Sequence, residues 1–316
     1  MNHLALDFLR VTQSAAFAAK PWIGRGCKHE ADDAATTAMR GVLQRMEMDG
    51  VVVIGEGELD EAPMLYIGER LGTGRGPRVD IAVDPLEGTT LVASGQDNST
   101  AVIAAAPRGT LLHAPDMYME KLAVGPKAKG AASLERPLVD NVAAVAAALH
   151  KDISDVTVMM QYRDRHQAAI DMVRRTGARV RLFDDGDVTC AISVAVEETG
   201  VDLFYGIGGA PEGVISAVAL KGLGGEMQAR LLPGTEAEYE RCRSMGIADP
   251  HKLLTLHDLV SSDDCVFAAT GITTGLLLAG ISKDAGHAEI THSLIVCGGQ
   301  AGTHFIRSVH EREEQV

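Results

Sequence analysis

An apolar run, Ile81-Ala-Val83, leads into Asp84-Pro-Leu-Glu87-Gly-Thr89, and an earlier one, Val51-Val-Val-Ile54, leads into Gly55-Glu56-Gly57-Glu58. Both runs read as buried strands, so each delivers carboxylates at its C-terminal end. The glycines beside them let another group approach the backbone. Hard oxygen donors clustered in this way are what Mg2+ or Mn2+ requires. Thr89 stands two residues beyond Glu87, within range of a water on the ion or of a phosphate oxygen. Together these residues suit metal-assisted hydrolysis of a phosphate ester. Glu56 and Glu58 fall on opposite faces if the strand continues, which favours Glu56, the first carboxylate after the strand, as the partner of Asp84.

Further candidates lie beyond residue 150. Apolar stretches beginning at Val156, Arg179 and Asp202 are separated and followed by helical patterns over 166–176, 187–196 and 211–221. Strand–helix alternation of this kind predicts a parallel, right-handed α/β unit. Ligands bind such units outside the carboxyl ends of the strands. Those ends carry Arg163-Asp164-Arg165, Asp184-Asp185-Gly186-Asp187 and Gly206-Ile-Gly-Gly209-Ala-Pro-Glu212. The two arginines are suited to clamp a phosphate bidentately, although a solvated charge cluster has the same spacing. Glu212 after Pro211 fits ordinary first-turn chemistry, while the glycine pair before it points to a closely approaching ligand. His166 adjoins Arg165 and is in reach of an anion. Asp32 and Asp33 sit in the first turn of a second helix, where the helix dipole favours acids, and alone they signal nothing more.

The 316 residues suggest about two domains, and 46% apolar with 23% charged residues is an ordinary soluble composition. A net charge of −14 without a long basic run argues against nucleic acid and anionic membrane surfaces as partners. It also means that an anionic substrate needs local cations. The five cysteines show no metal-like spacing and fit free thiols in a reducing cytoplasm. No signal peptide is legible, and the longest apolar run, Val142 to Leu149, is too short to span a bilayer.

The elements that must hold these residues can be read from periodicity. Leu4, Phe8, Val11, Ala15, Ala19 and Trp22 mark one face of a first helix, and residues 31–48 form a second. Next come strand 51–54, a short helix near 61–71, strand 79–83 and a hairpin joining 101–106 to 110–112. Helix 138–149 closes this part. Beyond 222 we expect a polar helix over 235–246 and strands over 265–269, 289–297 and 303–309, with a charged tail from His310. The boundary expected near 150 gives an N-terminal α+β metal-binding domain, 1–150, and a C-terminal α/β substrate-binding domain, 151–316.

Asp84-Pro-Leu-Glu-Gly-Thr89 resembles the metal signature of the lithium-sensitive, inositol-monophosphatase-like phosphatases. Val53-Ile-Gly-Glu-Gly-Glu58, Asp60-Glu-Ala-Pro-Met-Leu-Tyr-Ile-Gly-Glu69, Ala114-Pro-Asp-Met-Tyr-Met-Glu-Lys121, Asp185-Gly-Asp187, Tyr205-Gly-Ile-Gly-Gly-Ala-Pro-Glu-Gly213 and Ala269-Thr-Gly-Ile-Thr273 resemble the class II fructose-1,6-bisphosphatases. The similarity runs from the first helix to about residue 310. It departs from the family pattern at Cys27, at His29-Glu30 and at Asp164, where relatives commonly have proline.

The resemblance implies a layered sugar-phosphatase fold, α+β followed by α/β, with the active site between the domains. It implies that Asp32 and Glu56 hold one ion, and that Asp84, Glu87 and Glu212 hold another. Substrate-contacting positions are implied at Glu87, Gly88, Thr89, Tyr118, Arg163, Asp164, Arg165, Asp185, Gly186, Asp187 and Gly209. The catalytic set is Thr89, Glu56 and Asp84, with Mn2+ or Mg2+, more than one per site, as cofactor. The implied reaction releases phosphate from C1 of fructose 1,6-bisphosphate in gluconeogenesis, in a cytoplasmic homo-oligomer, dimer or tetramer. Sedoheptulose-1,7-bisphosphatase activity is the alternative, and the short loop 72–79 is more like that of fructose-specific members. A non-catalytic sugar-phosphate sensor is more remote, because a sensor need not keep Thr89.

Overall fold

The computed structural model describes residues 1–57, 64–299 and 302–311. The chain forms two compact units, Met1–Arg108 with Asp264–Val316, and Gly109–Asp263. The first unit opens with α1 (Ala5–Ala19) and α2 (Lys28–Leu43). Strands β1 (Asp49–Ile54), β2 (Arg70–Leu71) and β3 (Arg78–Glu87) come next, then α3 (Thr89–Ser94) and β4 (Thr100–Pro107). Leu4, Phe8, Val11, Ala15 and Ala19 are all buried, as their spacing predicts. The residues 64–69 are turns and bends rather than part of a helix near 61–71, and 70–71 pair antiparallel with β1. Glu69 explains this: its carboxylate accepts from the Leu65 amide and pairs with Arg40, folding the segment back on itself. Glu58 and the rest of 58–63 lie outside the described residues.

The second unit carries β5 (Tyr118–Val124), α4 (Leu138–Leu149), β6 (Thr157–Gln161), α5 (Gln167–Arg175) and β7 (Arg179–Phe183). It continues with α6 (Asp187–Ile192), β8 (Leu203–Gly209), α7 (Ala210–Leu223) and β9 (Glu226–Leu231). It ends with α8 (Glu236–Ser244), β10 (Leu254–Thr255) and α9 (Leu256–Leu259). The sheet is six-stranded, in the order β10-β9-β5-β8-β6-β7. The expected parallel unit is its β8-β6-β7 half; β5 and β9 join antiparallel.

The chain then returns to the first unit as β11 (Val266–Gly271), β12 (Ser282–Lys283), β13 (Glu289–Cys297) and β14 (Gly302–His310). Its eight-stranded sheet runs β12-β13-β11-β4-β3-β1-β2, with β14 on β13. Position 150, where a boundary was expected, lies in the second unit, directly after α4. The expected hairpin arm 110–112 makes one bridge only, Leu111 with Val260. In place of that arm β4 pairs with β11, which is separated from it by the whole second unit.

Helices α1 and α2 pack on one face of the eight-stranded sheet through a shared apolar core. Ala101, Ile103 and Ala105 of β4 and Val266 and Ala268 of β11 belong to it, small enough for α1 to lie close. From β3 the core takes Val79, Ile81 and Val83, and then Leu86. The alternation of two therefore slips by one residue between Val83 and Leu86. The cause is a bulge: Asp84 pairs with Val102 and Glu87 with Thr100, so three steps on β3 oppose two on β4.

Away from that bulge, Arg108 fastens the other end of β3. Its Nη2 donates to the Asp49 carbonyl at 2.6 Å, and its Nε lies 3.4 Å from the fully buried Asp80 carboxylate. Removing the cation from a buried pair costs about 3 kcal/mol or more. Arg108→Leu is expected to lose that much in urea unfolding, and Asp80→Asn in the same chain to recover part of it. A loss within the ±0.5 kcal/mol typical of surface changes would show that Arg108 does not hold this end.

Candidate active site

In the first unit the bulge decides which way the carboxylates face. Residues three apart on a regular strand point to opposite faces; the extra residue puts Asp84 and Glu87 together on the face away from the α1–α2 core. The expected strand 79–83 thus runs on to Glu87, and Asp84-Pro85 is a bulge rather than the start of a turn. Asp84 Oδ1 accepts from the Leu86 amide at 3.1 Å, which holds the bulge in shape. Thr100 Oγ1 donates to Glu87 Oε2 at 3.1 Å, and Ser99 Oγ to the Glu87 carbonyl at 2.7 Å. Gly88 then takes the left-handed conformation, φ 81°, turning the chain so that Thr89 is the first residue of α3. The amides of Gly24 and Gly26 donate to the carbonyls of Val92 and Ala93, tying α3 to the segment that starts α2.

Asp32 lies on the first turns of α2 and Glu56 just beyond β1. Burial, and then the neighbouring Asp32 charge, push the Glu56 carboxyl up to about 8. Burial followed by Asp33 raises Asp32, and His29 opposes them. Two carboxyls driven upward by burial, with Asp32 adding its charge against Glu56, make a site short of a cation. The structure therefore gives Asp32 a setting that its first-turn position alone did not reveal.

In the second unit, Tyr118 of β5 is the register partner of Gly209 of β8. The Arg165 guanidinium lies 4.9 Å over the Tyr118 ring. Its Nε donates to the Ile207 carbonyl and its Nη2 to Gln161 Oε1, both at 2.8 Å. Arg163 Nη1 donates only to the adjacent Tyr162 carbonyl, and Asp164 is exposed. Among the described residues neither guanidinium pairs with a carboxylate, so both are free to meet an anion. Asp185 accepts from Gly186, whose φ of 90° lets Asp187 begin α6.

Glu212 lies on the first turn of α7, beneath Gly209. A Cβ on Gly209 would come within 1.9 Å of Glu212 Oε2, so the carboxylate occupies the space the glycine leaves. That buried oxygen has no hydrogen-bond partner among the described residues. Desolvation drives the Glu212 carboxyl upward, opposed by the nearby Lys121 charge. A buried acceptor of this kind fits a ligand role better than helix capping.

No cluster of three or more His, Cys, Asp or Glu able to hold an ion is formed among the described residues. The fit to divalent ions rests instead on the Glu56 carboxyl destabilised by burial and by Asp32, on the aligned Asp84 and Glu87, and on the orphaned oxygen of Glu212. All are hard oxygen donors, as Mg2+ and Mn2+ demand. Sequence reasoning missed Lys121, which is fully buried and paired with Asp187. Its signal was parity: Met119, Lys121 and Ala123 alternate on the buried face of β5, where a charge must have a partner.

The architecture is α+β, two mixed sheets with helices, bearing acidic strand ends in one unit and a guanidinium pair in the other. The family model described as bacterial fructose-1,6-bisphosphatase, glpX-encoded, matches residues 2–310. Fructose-1,6-bisphosphatase 1 class 2 of Escherichia coli K12 is 49% identical, over 98% of this chain and 95% of that protein. The class 2 enzyme of Haemophilus influenzae is 47% identical, over 97% and 96%. A Synechococcus protein named D-fructose 1,6-bisphosphatase class 2/sedoheptulose 1,7-bisphosphatase is 42% identical, over 99% and 97%. The chain belongs to the class II fructose-1,6-bisphosphatase family.

His166, expected within reach of an anion, is spent on the scaffold. Its Nε2 accepts from the Ile207 amide at 2.8 Å, so Nδ1 carries the proton and donates to the Gln161 carbonyl at 2.9 Å. Both ring nitrogens are used, and the ring fixes the strand ends that hold Arg165. Burial, and then Arg165, lower its pKa from 6.5. The native state then binds fewer protons than the unfolded chain just below that value, so stability falls as pH drops below 6.5 and is unaffected by this group above it. We expect wild type to lose more stability than His166→Gln between about pH 7.5 and about pH 5.5, measured by urea unfolding. Equal losses would mean that the imidazole is not held neutral.

Proposed function

We infer that this chain hydrolyses the C1 phosphate ester of fructose 1,6-bisphosphate, giving fructose 6-phosphate and inorganic phosphate with the help of divalent ions. The observation that carries the reading is the family match across residues 2–310, with Asp84, Glu87 and Thr89 present in the motif that resembles the metal signature. Asp32, Glu56, Asp84, Glu87 and Glu212 are the residues that would hold Mn2+ or Mg2+. Bound there, the ions would neutralise phosphate charge and make water a better nucleophile. Thr89 orients the attacking water or donates to a phosphoryl oxygen, and catalysis is by positioning and electrostatics without a covalent enzyme intermediate. Arg163 and Arg165 bind the distal 6-phosphate, and Tyr118, Asp185, Gly186, Asp187 and Gly209 contact the sugar phosphate. With this reading go a role in gluconeogenesis, a cytoplasmic setting and a homo-oligomer.

Sedoheptulose 1,7-bisphosphate is the second substrate to test, because the Synechococcus relative is named for both activities. Phosphate release is measured across fructose 1,6-bisphosphate, sedoheptulose 1,7-bisphosphate and an inositol monophosphate, with and without Mn2+. The reading requires metal-dependent release that is fastest from the fructose ester. Faster release from the seven-carbon sugar would favour the second reading, and no release from any would leave the sensor.

Arg165 gives the sharper test. It is already oriented by Gln161, Ile207 and Tyr118, so little side-chain order has to be gained on binding. Arg165→Ala is expected to weaken binding of fructose 1,6-bisphosphate by about 1.5–3 kcal/mol, a KM increase of roughly ten-fold to more than a hundred-fold. Fructose 1-phosphate, which lacks the distal group, should be affected far less. Equal losses on both substrates would put Arg165 at the scissile phosphate or in the scaffold.

A further inference from the structure

Lys121 is the only lysine or arginine that is buried among the described residues. It stands on the inward face of β5 between Met119 and Ala123, both fully buried. An ammonium there is tolerated only if it is paired and hydrogen-bonded. Its Nζ forms an ion pair with Asp187 and donates to the Gly209 carbonyl at 2.8 Å. One side chain thus joins the first residue of α6 to the last residue of β8.

The surroundings are cut to fit this side chain. A Cβ on Gly208 would lie 2.7 Å from Asp187 Oδ2 and 3.1 Å from Lys121 Nζ. A Cβ on Gly213 would lie 2.5 Å from Met119 Sδ and 3.2 Å from Lys121 Cδ. Glycine at 208 leaves room for the ion pair, and glycine at 213 lets the lysine stem pass under α7. Neither glycine has a positive φ, so close approach rather than backbone conformation requires them.

We propose that Lys121 is a positioning residue of the phosphatase reaction, which locks the Asp187 carboxylate against the Gly209 carbonyl so that both meet the sugar phosphate in one fixed arrangement. The proposal rests on the reading of Asp187 and Gly209 as substrate contacts. Asp187 begins a helix after a left-handed glycine and has an aspartate close by at 185, so without the ammonium its carboxylate turns toward solvent or toward other donors. Substrate must then restore the arrangement at its own expense, which raises KM more than it lowers kcat.

The test compares wild type, Lys121→Met, Asp187→Asn and the double variant. Steady-state kinetics on fructose 1,6-bisphosphate are joined by calorimetric binding of fructose 6-phosphate. Lys121→Met should raise KM, and weaken binding of fructose 6-phosphate, by about ten-fold or more, the loss expected of a charge-assisted hydrogen bond, with a smaller change in kcat. Because Lys121 acts through Asp187, adding Lys121→Met to Asp187→Asn should change KM little further. If Lys121→Met does not fold, the comparison of Asp187→Asn with the double variant still decides, since the double variant removes both members of the Lys121–Asp187 pair. Wild-type KM and wild-type binding in folded Lys121→Met, or additive losses in the double variant, would overturn the proposal. Wild-type protein that releases no phosphate from fructose 1,6-bisphosphate would overturn the functional reading itself, before any variant is compared.

Discussion

The extra residue between Asp84 and Glu87 is the constraint on which the first unit's chemistry depends. A strand alternates its side chains, and β3 has to supply apolar residues to one face without interruption. Val79, Ile81 and Val83 do so in step, and the bulge lets Leu86 continue the same face. The slip also brings Asp84 and Glu87 onto the opposite face, away from α1 and α2. The same irregularity that completes the core therefore aligns the carboxylates. The next two residues are equally constrained: Gly88 supplies the left-handed turn, and Thr89 starts α3 beside the pair.

The second unit solves a different problem, the burial of charge. Lys121 and Glu212 sit where only glycines 208, 209 and 213 leave room for them and for Asp187. Burying them costs stability that an apolar core would not lose, and such expense is characteristic of functional sites. His166 belongs to the same region and shows the contrast: a neutral ring with both nitrogens occupied is scaffold.

Much of this was legible in the residues themselves. The spacing of Leu4, Phe8, Val11 and Ala15 gives α1, and the apolar runs from 156, 179 and 202 give the parallel half of the second sheet. Those elements are set by local periodicity. The features that stayed hidden depend on distant partners. The bulge shows only against β4, and Asp84-Pro85 on its own reads as a turn. The pairing of β4 with β11 spans the whole second unit, which is why a single boundary near 150 was expected. β5 escaped notice because Glu120 and Lys121 interrupt its apolar pattern; Lys121 faces inward, and Glu120 meets Tyr205 and Arg230. Asp32 by position alone reads as an ordinary first-turn acid; only the family resemblance singled it out, and the structure puts its charge against Glu56.

The central claim is that the carboxylate pair aligned by the bulge holds a divalent ion needed for turnover. The most direct measurement is Mn2+ binding to wild type and Asp84→Asn, monitored through the magnetic resonance signal of free Mn2+, with phosphate release assayed on the same samples. The account predicts that folded Asp84→Asn binds fewer ions than wild type, or binds them at least about ten-fold more weakly, and has no appreciable turnover at saturating Mn2+. Wild-type stoichiometry, affinity and turnover in that variant would contradict it.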